Sequence, residues 1–173
     1  MRNRNLICVA ALVCLAISAP AVLASDRQPH PRPFWGNLTG QATFPQSGAC
    51  LAITGAPWQT LSVTEGRVTH LGRTSLSTSH CSTLDGSAAV NGVATFTAAN
   101  GDEVWAIYTA TTVVWPSPPD MLLVQESDFT VVGGTGRFDG ASGHLQGTVY
   151  VTYEGINDPS WPLRFVLSGT LVY

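Results

Sequence analysis

The sequence predicts an all-β domain, an antiparallel closed β-barrel of about eight strands. Three observations point to it. Runs rich in Val, Thr, Leu and Tyr follow one another, broken by Gly, Pro, Asn and Asp, which is the pattern of successive short strands. Helix start and stop signals are nearly absent over the same region. Neighbouring strands joined by short turns pair antiparallel, and about eight in one domain make a closed barrel or a sandwich. Recurrent small residues (Ala88, Ala89, Ala94, Gly147, Gly169) suit strands that curl into a small barrel.

In chain order, the strands are expected near Asn37–Phe44, Ala49–Thr54, Arg67–Thr78, Ala88–Ala98, Glu103–Val114, Met121–Val132, His144–Tyr153 and Leu163–Val172. Asn100-Gly101-Asp102 reads as a tight hairpin turn, because Asn and Gly accept positive φ at little cost. Pro116–Asp120, "PSPPD", and Asn157–Pro162, "NDPSWP", cannot continue a ladder and read as loops. Glu103–Val114 is apolar on both parities, with Trp105, Ile107 and Val113 opposite Val104, Ala106, Tyr108 and Val114. Such a strand is expected to be covered on both faces, by a segment of its own chain or by a second subunit, so a homo-oligomer is one expected partner. The last strand alternates cleanly, with Leu163, Phe165, Leu167 and Leu171 opposite Arg164, Ser168 and Thr170.

Residues 1–24 read as a secretory signal peptide: Arg2 and Arg4, an apolar run from Leu6 to Ile17, then Val22-Leu23-Ala24 with small residues before the cut. The run is shorter than the roughly 20 residues a spanning helix needs, so no membrane span is expected after its removal. Residues 25–34, "SDRQPHPRPF", read as a flexible Pro-rich arm, and 35–173 as the single barrel domain. The expected location is secreted or periplasmic. Loss of Arg2 and Arg4 leaves six arginines against eleven acids, a formal charge of −5, with no lysine anywhere in the chain. That lacks the basic footprint of nucleic-acid binding and the clustered cations that dock on anionic lipid. Asn37-Leu38-Thr39 is a glycosylation sequon, relevant only in a host that modifies it.

The two cysteines beyond the signal segment, Cys50 and Cys81, are expected to form a disulfide, since an even pair in an exported chain is read that way. Closing that loop stabilises the fold by about 3–4 kcal/mol on the chain-entropy estimate. Their spacing is not C-x-x-C, and with His70 and His80 they lack the close-paired ligands of structural zinc sites, so no metal is assigned.

No cofactor motif is found. The glycine-rich stretch Phe129–Gly143, "FTVVGGTGRFDGASG", has no lysine for a phosphate loop and is followed by strand composition, where a dinucleotide loop needs a helix. No G-x-S-x-G nucleophile elbow occurs. An unbroken strand from Val68 would put Val68, His70, Leu76 and His80 on one face, with Gly72 able to shift that parity through a bulge. In Met121–Val132, Leu122, Val124, Glu126, Asp128 and Thr130 share a face that is read as solvated, although Glu126 and Asp128 at i and i+2 could act as an acid/base pair. His70, Tyr108 and Glu126 are the candidate ligand-binding residues of a lumen.

Within Phe129–Gly143, Val131 or Val132, Gly133, Gly134, Thr135, Gly136, Phe138, Ala141 and Gly143 resemble the strand-and-corner motif V-x-G-G-T-G-x-F-x-x-A-x-G of the allene oxide cyclase and dirigent barrels. "GRVTHLGRTS" at Gly66–Ser75 and "ATFTAANGDEV" at Ala94–Val104 are similar to secreted bacterial members of that group. The resemblance implies an eight-stranded antiparallel barrel with a lumen, related to the lipocalins and often trimeric in plants. It carries over no catalytic residue, since the shared motif is an architectural corner. Its glycines are expected to supply positive φ and close approaches, Phe138 to fill the adjacent core, and Arg137 to pair with Asp139 at the rim. Three roles follow in order: an exported barrel binding a small apolar or aromatic molecule; an isomerase, cyclase or dirigent-type protein steering a reactive intermediate; and a structural or interaction protein with a filled core.

Overall fold

The computed structural model describes residues 30–155 and 157–173, so the expected signal segment and the first half of the expected arm lie outside the described residues. Eight antiparallel strands form a closed barrel in which each pairs with its neighbours in sequence. They are β1 (Pro31–Thr43), β2 (Gln59–Val68), β3 (Gly72–Ser82), β4 (Ala88–Ala98), β5 (Glu103–Val114), β6 (Leu122–Gly134), β7 (Ser142–Thr152) and β8 (Ser160–Val172). β1 closes the barrel by pairing with both β2 and β8, along registers that include Leu38↔Gly66 and Leu38↔Phe165. The chain from Pro31 to Phe34, expected to belong to the arm, is already strand, because β8 offers it a full antiparallel edge.

Two expected elements are corrected. Ala49–Thr54 is not a strand but most of a short helix, α1 (Gly48–Thr54). Its signals flank the apolar run: the Ser47 hydroxyl caps the N–H of Cys50, and Gly55, at φ +74°, returns its N–H to the Leu51 carbonyl. The strand that was missed is β2. It hides from a hydrophobicity reading because Ser62 and Thr64 point inward and are buried, while Leu61 and Val63 point outward. The strand expected over Arg67–Thr78 is thereby split between β2 and β3 by a turn at residues 69–71. The turn takes His70 to φ +68°.

The barrel has two unlike ends. The β2–β3, β4–β5 and β6–β7 turns gather at one end with the start of β1 and the finish of β8. There the lumen is packed shut by Phe34, Leu38, Leu76, Phe96, Phe138 and Leu171, all at most 1% exposed. Phe138, fully buried as expected, meets Tyr173 edge-on at 4.8 Å. Gly136 lies beside it at φ +57°, where a Cβ would stand 2.0 Å from Asp102 Oδ1, so the corner needs glycine on both counts. Arg137 pairs with Asp102 across the end (Nε–Oδ2 3.8 Å) and donates to the His70 carbonyl, in place of the expected partner Asp139. The Asn100–Asp102 turn is the expected hairpin, with Ala98 N–H bonded to the Asp102 carbonyl at 2.9 Å.

Of the two covers expected for the outer face of β5, a segment of the chain itself is absent among the described residues. Trp105 and Ile107 are 39% and 53% exposed, and no described segment covers them. Trp105 instead lies beside Gly133 of β6 and ties its indole N–H to Glu103.

Candidate functional site

The opposite end carries the β1–β2 segment with α1 and the longer connections β3–β4, β5–β6 and β7–β8. Here the barrel interior is open, with a cavity of ≈ 840 Å³. That lies within the range of ligand pockets, about 300–1,000 Å³.

The cavity is built in three tiers. Its floor is the top of the aromatic column that fills the closed end: Phe34 meets Phe96 at 5.7 Å, Phe96 meets Phe129 at 6.4 Å, and Tyr108 stacks on Phe129 at 4.8 Å. Its walls are apolar on one side, from Val149, Val151, Leu163 and Phe165 of β7 and β8. On the other side they are hydroxylic, from Thr60 of β2 and, lower down where wall meets floor, from Ser62 of β2 and Thr78 of β3. The mouth is aromatic, with Trp58, Trp115 and Trp161 among its lining. Trp161 is wedged between Phe44 and Tyr153, with centroids at 4.3 and 4.7 Å, and donates its indole N–H to the Gly155 carbonyl.

His80 and Tyr108 make the polar centre. His80 Nδ1 and the Tyr108 hydroxyl lie 2.7 Å apart, inside the barrel, at 8% and 6% exposure. Local geometry explains how they meet across β4. Tyr108 on β5 faces Gly92 on β4, and a Cβ there would lie 2.5 Å from the ring, so glycine lets the phenol lie flat across β4 towards β3. His80 keeps the inward parity of Leu76 and Thr78 on β3, and a register shift between Ser79 and Cys81 lets Cys81 be buried beside it. The Cys50–Cys81 disulfide ties α1 to β3 beside His80, with Cα atoms 5.2 Å apart. A disulfide of this kind suits an oxidising, extracytoplasmic compartment.

Burial sets the protonation states. Removal from water pushes the His80 imidazole down to about 4 and the Tyr108 phenol up to about 12, so both are neutral at physiological pH. Below them the Ser62 and Thr78 hydroxyls share a 2.6 Å hydrogen bond. At the mouth the Asp85 carboxylate accepts from the Ser87 N–H and from the Thr83 and Ser87 hydroxyls, which hold it at about 2 and therefore anionic. Asp158 also borders the mouth, and among the described residues no arginine lines the cavity.

Of the three candidate residues from sequence, the structure brings only Tyr108 into the cavity. His70 sits at the closed end, where its Nε2 meets the Pro33 carbonyl at 2.9 Å and its ring lies near Tyr173. The turn that ends β2 removes it from the parity it was expected to share with His80. Glu126 points to the outside of β6 and accepts from Thr148 Oγ1. The solvated reading of its face holds from Glu126 through Asp128 to Thr130, all exposed, whereas Val124, expected on the same face, is buried. Sequence reasoning missed His80, Ser62 and Thr78 as lining groups. Alternation along Leu76, Thr78 and His80 was the available signal for two of them. Among the described residues, no group of three or more His, Cys, Asp or Glu is placed to hold a metal ion, and no helix is long and apolar enough to cross a membrane.

Comparison with family models, with curated proteins and with solved structures finds no match to this chain. Function therefore has to be read from the cavity itself.

Proposed function

We propose that this protein is an exported binding protein that holds one small apolar or aromatic molecule in the open half of its barrel. One observation carries the reading. A cavity of ≈ 840 Å³ with an aromatic mouth stands above a lumen that is otherwise packed solid. A barrel that needed only stability would fill both halves, because an unfilled apolar lumen forfeits contacts. The corner motif's resemblance to the allene oxide cyclase and dirigent barrels fits the same reading, since those barrels enclose a lumen.

A second reading, steering of a reactive intermediate by an isomerase or cyclase, draws on the contact between His80 and Tyr108. General-base work at neutral pH favours a group whose affinity for protons is matched to that pH. Burial leaves His80 a much weaker base, at about 4, so the pair suits recognition better than proton abstraction.

Titration with Nile red, an uncharged polarity-sensitive dye, tests the binding reading. Saturable enhancement at one dye per chain is expected, and Ala110→Trp, which adds an indole to the cavity wall, is expected to abolish it. Equal dye binding by both proteins, with both folded by circular dichroism, would refute a luminal site.

A further inference from the structure

The four polar residues at the bottom of the cavity have more protons than partners. Neutral His80, Tyr108, Ser62 and Thr78 each carry one proton that can be donated. Three contacts use three of these: His80 with Tyr108 at 2.7 Å, Ser62 with Thr78 at 2.6 Å, and the Thr78 hydroxyl with the Tyr108 oxygen. One donor is left over. His80 Nε2 has no hydrogen-bond partner among the described residues. Yet no side-chain nitrogen or oxygen there is both sealed from solvent and unpaired. Nε2 is therefore in contact with solvent space, and the space that His80 borders is the cavity.

The tautomer follows from the neighbouring phenol. When Tyr108 donates to Nδ1, the His80 proton sits on Nε2 and faces the cavity as a donor. With Ser62 donating to Thr78 and Thr78 to the Tyr108 oxygen, the row of hydroxyls runs to His80 Nδ1 and ends in the Nε2–H, two positions along β3 from Thr78 and on the same face. Nothing in this group carries charge, among the described residues no arginine lines the walls, and the acids that border the cavity are Asp85 and Asp158. A carboxylate ligand would lose its hydration without gaining a cation. A carbonyl oxygen can accept the leftover proton.

We infer that the His80–Tyr108–Thr78–Ser62 floor is a seat for the carbonyl oxygen of an uncharged apolar or aromatic ligand, such as an aryl ketone, a quinone or an ester, and that it discriminates against anions. The inference rests on the proposed binding function and deepens it. The ligand enters oxygen first, its apolar body lying between the β7–β8 wall and the aromatic mouth.

A matched series separates the two levels. Acetylnaphthalene, ethylnaphthalene and naphthoate share one ring system and differ only in presenting a neutral acceptor, no acceptor, or an anion. Each is titrated against the full protein by calorimetry, or by quenching of the tryptophans at the mouth. One neutral hydrogen bond is expected to favour the ketone over the hydrocarbon about fivefold, with naphthoate weaker than either. The bound ketone's C=O stretch should move to lower frequency. In His80→Phe the ketone's advantage should vanish while ethylnaphthalene binding persists, and that persistence shows that the cavity is still folded. Equal affinity for the ketone and the hydrocarbon, or tighter binding of naphthoate, would overturn the carbonyl seat and leave the binding function standing. Failure of all three to bind would overturn both.

Discussion

At neutral pH the His80 imidazole is uncharged in the folded and the unfolded chain alike, and it contributes nothing to the pH dependence of stability. Below pH 6.5 the two states part company. The unfolded imidazole takes up a proton at its ordinary value, whereas the folded one, buried beneath the cavity, resists until about pH 4. The unfolded state then binds more protons, so stability falls as pH falls. At about 1.4 kcal/mol for each factor of ten in proton affinity, the full loss is about 3 kcal/mol once the pH is well below 4. By pH 5 about 2 kcal/mol of it should already be gone. The assay is urea denaturation of the wild-type protein and of His80→Gln at pH 7 and pH 5. Glutamine keeps a polar acceptor for the Tyr108 hydroxyl but does not titrate. Among the described residues, Tyr108 is the titratable side chain hydrogen-bonded to His80, and it stays neutral throughout this range. Asp85 and Asp158 at the mouth, and every other carboxylate, are common to both proteins and cancel in the comparison. Wild-type protein should lose about 2 kcal/mol more than His80→Gln between the two pH values. Parallel losses, within a few tenths of a kcal/mol, would refute the reasoning and mean that water in the cavity solvates the imidazolium.

Two further perturbations probe the supports of the cavity. Replacing both Cys50 and Cys81 with alanine opens a bridge that spans 31 positions of sequence, and should lower unfolding free energy by about 3–4 kcal/mol, as should a reductant acting on the wild type. A loss below about 1 kcal/mol would show that the denatured chain is not constrained by this link. Gly92→Ala sets a methyl group 2.5 Å from the Tyr108 ring and carbonyl oxygen, so the phenol has to leave His80. That should cost about 1–3 kcal/mol through overpacking. It should also move the His80 imidazole resonances in NMR spectra, and unchanged resonances in a folded variant would sink the account of how Tyr108 is positioned.

Legibility in the sequence followed the polarity of what each strand buries. β4, β5 and β8 were read within a few residues of their true limits: Ala94, Phe96, Leu163 and Phe165 face inward and alternate mainly with polar neighbours, and β5, apolar on both parities, stands out as an unbroken β-branched and aromatic run between two turns. β2 was invisible for the opposite reason. It lines the hydroxylic wall, so its buried residues are Ser62 and Thr64, and its apolar Leu61 and Val63 face solvent. The same inversion hid half of the site. α1 was mistaken for a strand because its apolar residues are few and include Ile53, while the informative signals, Ser47 and Gly55, lie just outside it. The choice of His70 over His80 turned on one short turn. A parity argument holds only within a continuous strand, and Thr69–Leu71 interrupts it.

By itself, then, the sequence determined an antiparallel all-β domain, the pairing of Cys50 with Cys81 and the buried corner at Phe138, because each depends on local alternation, turn chemistry or simple counting, while the choice of a closed barrel over a sandwich rested on the resemblance of the corner motif. Only the tertiary structure decided which half of the lumen is packed and which is open, and that His80, Tyr108, Ser62 and Thr78 share one floor. Those four residues come from β2, β3 and β5. A period of two says which way each side chain points from its own strand. Which of them meet across the lumen is set by strand register and by the missing side chain at Gly92, and these depend on neighbours far away in the chain.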